Sequence, residues 1–294
     1  MNSHLKRSPT SIVFDFLNVL WMILLSLIMA FPFYYIIIYS ISDSRLMSSG
    51  LVYWPVGVNL DAYRMILSNS RIINSVGVSA LRTVVGPTLM IIVTSMAGYV
   101  LPRERMNGVK ALRRFFVFTM YMGAGIIPTY LLIKNLGMIG TFWVYVIPQS
   151  VSVYNMVLIK TYIESVPASL EEAARIDGAN DFVAFWRVIF PVCIPVIAAT
   201  GLFSAVGHWN DFIDTQFYNN MNPQLFTLQY MLYQVLASAE SLAQARSEAA
   251  LGRQVLPQSL KMAVTVITVL PIAMVYPLVQ KHFAKGLLIG AVKG

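Results

Sequence analysis

The sequence predicts an all-α integral membrane protein with six transmembrane helices, and three observations lead to this prediction. Of the 294 residues, 57% are hydrophobic and only 12% are charged, whereas soluble domains carry about 25% charged residues. The mean hydropathy is +0.67. Six segments are long and apolar enough to cross a bilayer, which takes about 20 residues of helix. This composition excludes disordered and collagen-like chains and argues against most cytosolic enzymes.

The six predicted spans are joined by loops of unequal length. The first span is too long for the core of a signal peptide and no small-residue cleavage site follows it, so we expect it to stay in the protein. Prolines inside several spans are tolerated in a membrane because neighbouring helices satisfy the freed carbonyls. We expect residues 1–294 to form one transmembrane domain. Its spans cover about residues 14–41, 73–101, 112–133, 139–159, 188–209 and 262–283, with a cytoplasmic loop at 160–187 and an external loop at 210–261.

Basic residues are distributed unevenly among the loops, and this sets the predicted orientation. Most of the 21 Lys and Arg residues lie on the side that holds both termini. The short loop PRERMNGVKALRR at 102–114 is the most basic, and it places both termini in the cytoplasm because basic loops stay inside. The net charge of +8 is therefore a topology signal, and we expect no nucleic acid as a partner.

Residues that could carry bond chemistry are few. The single cysteine, Cys193, rules out a disulfide framework and is expected to be a packed small residue. The three histidines, His4, His208 and His282, are too far apart to form a local metal motif. An intramembrane enzyme would need a nucleophile with its base, or a metal cluster, inside the spans. A secondary transporter would normally show two related halves with interrupted helices, and no such repeat is apparent.

The predicted cytoplasmic loop between the fourth and fifth spans carries two helix signals. Ser169 and Glu172 have the spacing of a capping box. Gly178 stands where a C-terminal capping glycine belongs. These signals predict a short helix from about Leu170 to Asp177, and a second helix that begins at residue 180 or 181. An exposed helix with a small face fits a groove on another protein. The alternative is that the helix rests on lipid headgroups, but its two glutamates would then lie near anionic lipid, which argues against it.

This loop resembles the EAA loop of ABC importer permeases. Glu172-Ala173-Ala174 is followed after three residues by Gly178, and after nine more by Val188-Ile189-Phe190-Pro191. The family pattern is Glu-Ala-Ala, three residues, Gly, nine residues, Ile-x-Leu-Pro. The spacing matches throughout, and Val and Phe are conservative replacements for Ile and Leu.

Other segments resemble the smaller permease of the maltose-transporter type of carbohydrate importers, so the resemblance extends over nearly the whole chain. It implies a type I ABC importer permease in the bacterial cytoplasmic (inner) membrane that moves its substrate by alternating access. The segments are the tail QKHFAKGLLIGAVKG, Trp209-Asn210-Asp211-Phe212, Ser42-Asp43-Ser44 and Trp54-Pro55.

The resemblance also implies partners. These are a second, homologous permease, two ATPase subunits, an extracytoplasmic solute-binding protein, an oligosaccharide substrate and the lipid membrane. The chain has no Gly-x-x-x-x-Gly-Lys-Ser/Thr motif, so ATP and Mg are expected on the ATPase subunits, with no cofactor and no metal on this chain. The resemblance further implies that the EAA helix is the coupling helix that docks on the ATPase, and that the tail reaches into the ATPase dimer. The docking residues carried over are Glu171, Glu172, Ala173, Ala174, Asp177, Gly178, Lys293 and Gly294.

The predicted substrate class rests on a further resemblance and on one ionisable residue within a span, Arg82. The subgroup most similar to this chain is linked to uronate-containing oligosaccharides, as in alginate or pectin-fragment systems. An ionisable residue within a span is a functional hypothesis by default. Arg82 is expected either to face the pathway and pair with sugar carboxylates, or to extend outward to headgroups. A permease for neutral oligosaccharides is the alternative, and a non-sugar ABC permease is a further one.

Polar residues of the fourth span are the remaining candidates for the pathway. Gln149, Tyr154 and Asn155 lie in an otherwise apolar segment, and a membrane tolerates such groups only where they face protein or water. Hydrogen bonding between helices is the alternative role. His208 and Trp209, at the end of the fifth span, are expected to anchor it at the membrane interface.

Overall fold

The computed structural model describes residues 9–43, 52–103, 106–248 and 258–291, and within these ranges the chain forms helices and no β-strand. The helices are α1 Pro9–Ser40, α2 Asp61–Ser68, α3 Ser70–Val100, α4 Val109–Tyr121, α5 Ile126–Asn135, α6 Val153–Glu164, α7 Ala168–Ile176, α8 Asp181–Ala184, α9 Phe190–Val192, α10 Ile194–Asn210, α11 Ile213–Tyr218, α12 Leu228–Glu248 and α13 Gln258–Ala291. Short 3₁₀ helices cover Phe142–Tyr145 and Pro223–Leu225, and a π-helical turn covers Phe185–Ile189.

Three helices are long and apolar enough to cross a membrane by themselves, judged by length and composition. They are α1, α3 and the amino-terminal part of α13, and they correspond to the predicted first, second and sixth spans. Two bent helix pairs raise the number to as many as five if each pair is one span. The all-helical class is therefore confirmed among the described residues, and the total of six spans stays a prediction.

The continuous helix predicted over 139–159 does not form. The segment begins with a turn at Gly140 (φ +76°), continues as a short 3₁₀ helix, and becomes α-helical only at Val153. Pro148 has no backbone N–H to extend a helix, and Ser152 caps α6 by accepting a hydrogen bond from the Asn155 N–H at 3.4 Å. Helix α6 then continues to Glu164, past the predicted end of the span.

The predicted third and fifth spans are each broken. Helices α4 and α5 meet at 117° across a four-residue connection that contains Gly125 at φ +80°. The segment Asp181–Val192 meets α10 at 81° around Cys193. Pro191 and Pro195 flank that break, and each removes a helical N–H, so the helix bends there. Apolar composition alone predicted the spans but not these bends.

One compact unit contains the described residues up to 68 together with 236–267. Helix α1 exposes apolar side chains along most of its length, as expected for surface that meets lipid or another chain. At its end, the Ser42 hydroxyl accepts a hydrogen bond from the Val56 N–H at 3.2 Å, and the Asn59 N–H donates to the Ile41 carbonyl at 2.8 Å.

The second compact unit contains the described residues of 69–235 and 268–294. Helix α3 runs through it and packs against α10 and α6. One apolar cluster joins Tyr99 of α3 to Phe185, Ile189, Cys193 and Ile197, which confirms Cys193 as a packed small residue. This cluster fixes the end of α3 beside the start of the bent fifth segment.

Close packing of α3 on α10 depends on a glycine and places a histidine inside the protein. His208 is 1% exposed and Trp209 is 7% exposed, and the Trp209 indole N–H donates to the Thr268 carbonyl at 2.9 Å. A Cβ atom at Gly86 would lie 2.4 Å from Nε2 of His208. The prediction that His208 and Trp209 anchor the interface is wrong, since both side chains are buried against neighbouring helices.

Candidate functional site

Helix α7 is the observed counterpart of the short helix predicted in the cytoplasmic loop. It begins at Ala168, two residues earlier than predicted, with Pro167 at the N-cap and no side-chain capping hydrogen bond. The predicted capping box is therefore wrong, because Ser169 already lies inside the first turn. Proline supplies a fixed φ that suits a helix start, and the Leu170 N–H donates to the Pro167 carbonyl at 3.2 Å. Glu172 is thereby left free of a capping role.

The carboxyl end of α7 forms the predicted glycine cap. Gly178 has φ +85°. Its N–H donates to the Arg175 carbonyl at 3.0 Å, and the Ala179 N–H donates to the Ala174 carbonyl at 2.9 Å. This pair of bonds is a Schellman motif. The next helix begins as predicted, with Asn180 Oδ1 accepting from the Val183 N–H at 2.9 Å.

The predicted docking residues of α7 divide into an exposed set and an inward set. Glu172, Ala173, Asp177 and Gly178 are exposed, whereas Ala174 is buried at 8% and the side chain of Glu171 is 26% exposed. Ile176 adds an apolar side chain that is 86% exposed. Helix α7 is thus held by one face and presents the other, as a docking surface requires. The remaining two, Lys293 and Gly294, lie outside the described residues.

An ion network that the sequence analysis did not find holds the inward face of α7. It consists of Arg103, Glu171, Arg175 and Asp181, called here the Arg103 network. Arg103 contacts Glu171 at 2.5 Å and Asp181 at 2.7 Å, and Arg175 contacts the same two carboxylates at 2.8 and 3.3 Å. The Arg103 guanidinium also lies over the Tyr99 ring, 4.1 Å from its centroid. The network borders a cleft of about 680 Å³.

A second buried cluster surrounds Arg82, whose side chain has no exposed surface. Its guanidinium contacts Asp214 at 3.1 Å and Asp211 at 3.6 Å, and donates to the Asp211 carbonyl at 3.1 Å. It also lies 4.6 Å from the centre of the Tyr145 ring. Arg82 therefore does not extend outward to headgroups, because its side chain is buried. Its charge is paired with two aspartates of this chain, and a role toward the substrate stays a prediction.

Gln149 contacts this cluster and also lines a nearby cavity of about 420 Å³. Its amide donates to Asp214 at 3.1 Å and to Asp211 at 3.4 Å. Burial raises the pKa of the Asp214 carboxyl to about 7, with Asp211 adding to the rise and Arg82 opposing it. The two aspartates follow the fifth predicted span closely, but nothing in the sequence indicated that they pair with an arginine of α3.

The three predicted pathway residues of the fourth segment do lie together. Gln149, Tyr154 and Asn155 line a cavity of about 420 Å³, with residues of α3 and α10 on the other side. Tyr154 is 58% exposed, so its ring is available to a ligand. Asn155 is 7% exposed and donates to the Met90 sulfur at 3.8 Å, which is the helix-to-helix role left open above. The other lining residues are Met90, Pro148, Val151, Ser152, Phe203, Ser204 and Gly207.

Comparison with known proteins gives consistent matches over most of the chain. The model of the family described as binding-protein-dependent transport system inner membrane component matches residues 91–289. The polygalacturonan/rhamnogalacturonan transport system permease protein YtcP of Bacillus subtilis (strain 168) is 35% identical over 283 residues, 96% of this chain and 99% of the relative. Protein LplC of the same organism is 38% identical over 284 residues, 96% and 95% of the two chains.

A solved structure agrees with these matches. It is described as a bacterial ABC transporter involved in the import of the acidic polysaccharide alginate. The similarity has a TM-score of 0.82 at 27% identity and covers 95% of this chain and 99% of that chain. The similarity in three dimensions therefore extends over almost the whole length of both chains.

Proposed function

Because the chain belongs to the family of binding-protein-dependent transport system inner membrane components, we propose that it is a permease subunit of an ATP-driven ABC importer that moves oligosaccharides into the cytoplasm. Two ATPase subunits would supply ATP hydrolysis with Mg, a second permease would complete the pathway, and an extracytoplasmic binding protein would deliver the sugar. Both termini would lie in the cytoplasm, as the basic loops indicate.

The observation that carries this proposal is the exposed face of α7. A helix that is fixed along one side by the Arg103 network, ends in a sharp Gly178 turn and exposes Glu172, Ala173 and Ile176 is built to fit a groove. We assign α7 as the coupling helix that docks on the ATPase. Closure of the two ATPase subunits around ATP would then displace α7 and switch the bundle from inward-open to outward-open, as alternating access requires.

We place the sugar pathway of this subunit at the cavity lined by Gln149, Tyr154 and Asn155. Amide and hydroxyl groups match the hydrogen-bonding needs of sugar hydroxyls, and an aromatic ring offers a flat apolar surface to a sugar face. Arg82 supports this site indirectly, since it holds the aspartates that position Gln149.

We further propose that the substrate is acidic, with uronate residues. The support comes from the relatives: one is named for polygalacturonan, a polymer of a uronic acid, and another structure is described for alginate import. The described lining of the cavity contains no Lys or Arg, so the carboxylates would be recognised by another subunit of the complex. That same observation favours the second candidate, an importer of neutral oligosaccharides.

The test is a reconstituted complex of this chain with its partner permease, the ATPase and the binding protein. ATP hydrolysis is measured with uronate oligosaccharides and with neutral ones of matched length. Stimulation by the acidic set supports the uronate proposal, and stimulation by the neutral set alone supports the second candidate. If no ATPase subunit co-purifies with the intact chain, the importer proposal fails.

A further inference from the structure

The Arg103 network joins three separate segments of the chain through one guanidinium. Arg103 follows the end of α3, Glu171 lies on α7, and Asp181 begins α8. One terminal nitrogen of Arg103 contacts Glu171 and the other contacts Asp181. A guanidinium can hold two carboxylates in this way because its nitrogens lie in a rigid plane, whereas a lysine ammonium is a single point of charge.

The guanidinium of Arg103 is itself held in place by Tyr99. The guanidinium lies over the Tyr99 ring and donates a hydrogen bond to the Tyr99 hydroxyl. Tyr99 is only 5% exposed and packs on Phe185, with 5.0 Å between ring centroids. The side chain of Arg103 is 20% exposed. An arginine fixed in this manner can transmit a displacement instead of yielding to it.

The backbone of α7 has few contacts with α3. It packs mainly on α8 and on the π-helical turn Phe185–Ile189. Contact between α7 and the end of α3 runs through side chains, namely Arg103 with Glu171 and the Tyr99 hydroxyl, which donates to Glu171 at 3.3 Å. A movement of α7 can therefore reach α3 directly through this ion pair, beside the indirect route through the packing of Phe185 on Tyr99.

We propose that Arg103 is a positioning residue that transmits the movement of α7 to α3, and so couples ATP hydrolysis to reorientation of the transport pathway. This inference rests on the proposed function. Helix α3 also carries Arg82 and contributes Met90 to the wall of the proposed sugar cavity. Displacement of the end of α3 would therefore move residues of the pathway.

Arg175 provides a matched control. It contacts the same two carboxylates as Arg103 but uses a single nitrogen for both, and it lies on α7 itself, so it does not connect α7 to α3. A lysine could reproduce the Arg175 contacts but not those of Arg103. The same chemical change, Arg to Lys, should therefore have different consequences at the two positions.

The experiment uses the full reconstituted complex in vesicles and measures the amount of sugar imported per ATP hydrolysed, together with the amount of ATPase that co-purifies. For R103K and R103A we expect wild-type co-purification and a fall in the import ratio of about tenfold or more, the usual size of coupling between sites. For R175K we expect a ratio close to that of the unmodified complex.

Each other outcome overturns the inference. An unchanged ratio in R103A shows that Arg103 does not transmit the movement. Loss of the ATPase from R103A shows that Arg103 serves docking. An equal fall in R175K shows that the import ratio depends on the geometry of the whole network and not on the link from α7 to α3. Failure of the unmodified chain to bind an ATPase would instead remove the proposed function, so the two failures are distinguishable.

Discussion

The guanidinium of Arg82 lies 3.1 Å from the carboxylate of Asp214, a residue 132 positions further along the chain. The two side chains are 0% and 18% exposed. A buried arginine is tolerated here because carboxylates, a backbone carbonyl and the Tyr145 ring replace water around its two terminal nitrogens. The pair fastens α3 to the segment that follows α10.

Removal of the arginine should destabilise the fold. In R82M the Asp214 and Asp211 carboxylates lose their cation while staying largely buried, and breaking a buried pair from one side costs about 3–5 kcal/mol. Denaturant unfolding of the purified chain in detergent measures this loss. The double variant R82M/D214N, which removes the stranded charge, should recover part of it. Equal stability of R82M and the unmodified chain would contradict the structural role.

Stability should also depend on pH through Asp214. Its folded-state pKa of about 7 lies above the ordinary value of 3.8, so protonation favours the folded state. The contribution is fully present below about pH 4 and is lost as the pH rises toward 7. D214N, which is neutral at every pH, should flatten the stability profile between pH 4 and 7. A profile with the same slope in D214N would assign the dependence to other groups.

The contact between Gly86 and His208 gives a test of helix packing. In G86A the new methyl group meets three atoms of a buried imidazole, the closest at 2.4 Å, and overpacking of this kind costs about 1–3 kcal/mol. G77A on the same helix is the control, because a Cβ there has no neighbour within 4 Å. Thermal unfolding of both variants should show a lower midpoint for G86A only.

Much of the fold could be predicted from composition, and its breaks could not. Apolar length correctly located α1, α3 and the start of α13, because burial in lipid demands such runs. The bend of 81° near Cys193 and the irregular segment before Val153 depend on how prolines and glycines are used locally. Those residues are compatible with either a kinked or a broken helix, so only tertiary packing decides between them.

The candidate site likewise has features that the sequence predicts and features that it does not. Gly178 could be predicted because a C-terminal glycine cap is a local signal. The capping box at Ser169 failed because Pro167 competed for the helix start with an equally local signal. The partners of Arg103 and Arg82 could not be predicted, because ion pairs between residues far apart in sequence produce no local sequence pattern around either residue.

The Gly178 turn should control how α7 is presented to its partner. At φ +85° an alanine carries a penalty of about 1–2 kcal/mol, and no neighbouring atom lies within 4 Å of its Cβ, so the effect is one of backbone strain alone. G178A should relax by shifting α7 against α8 and should weaken co-purification of the ATPase. Asparagine tolerates the left-handed conformation better, so G178N should retain more ATPase than G178A. Equal retention by the two variants would show that the turn conformation does not set the docking geometry.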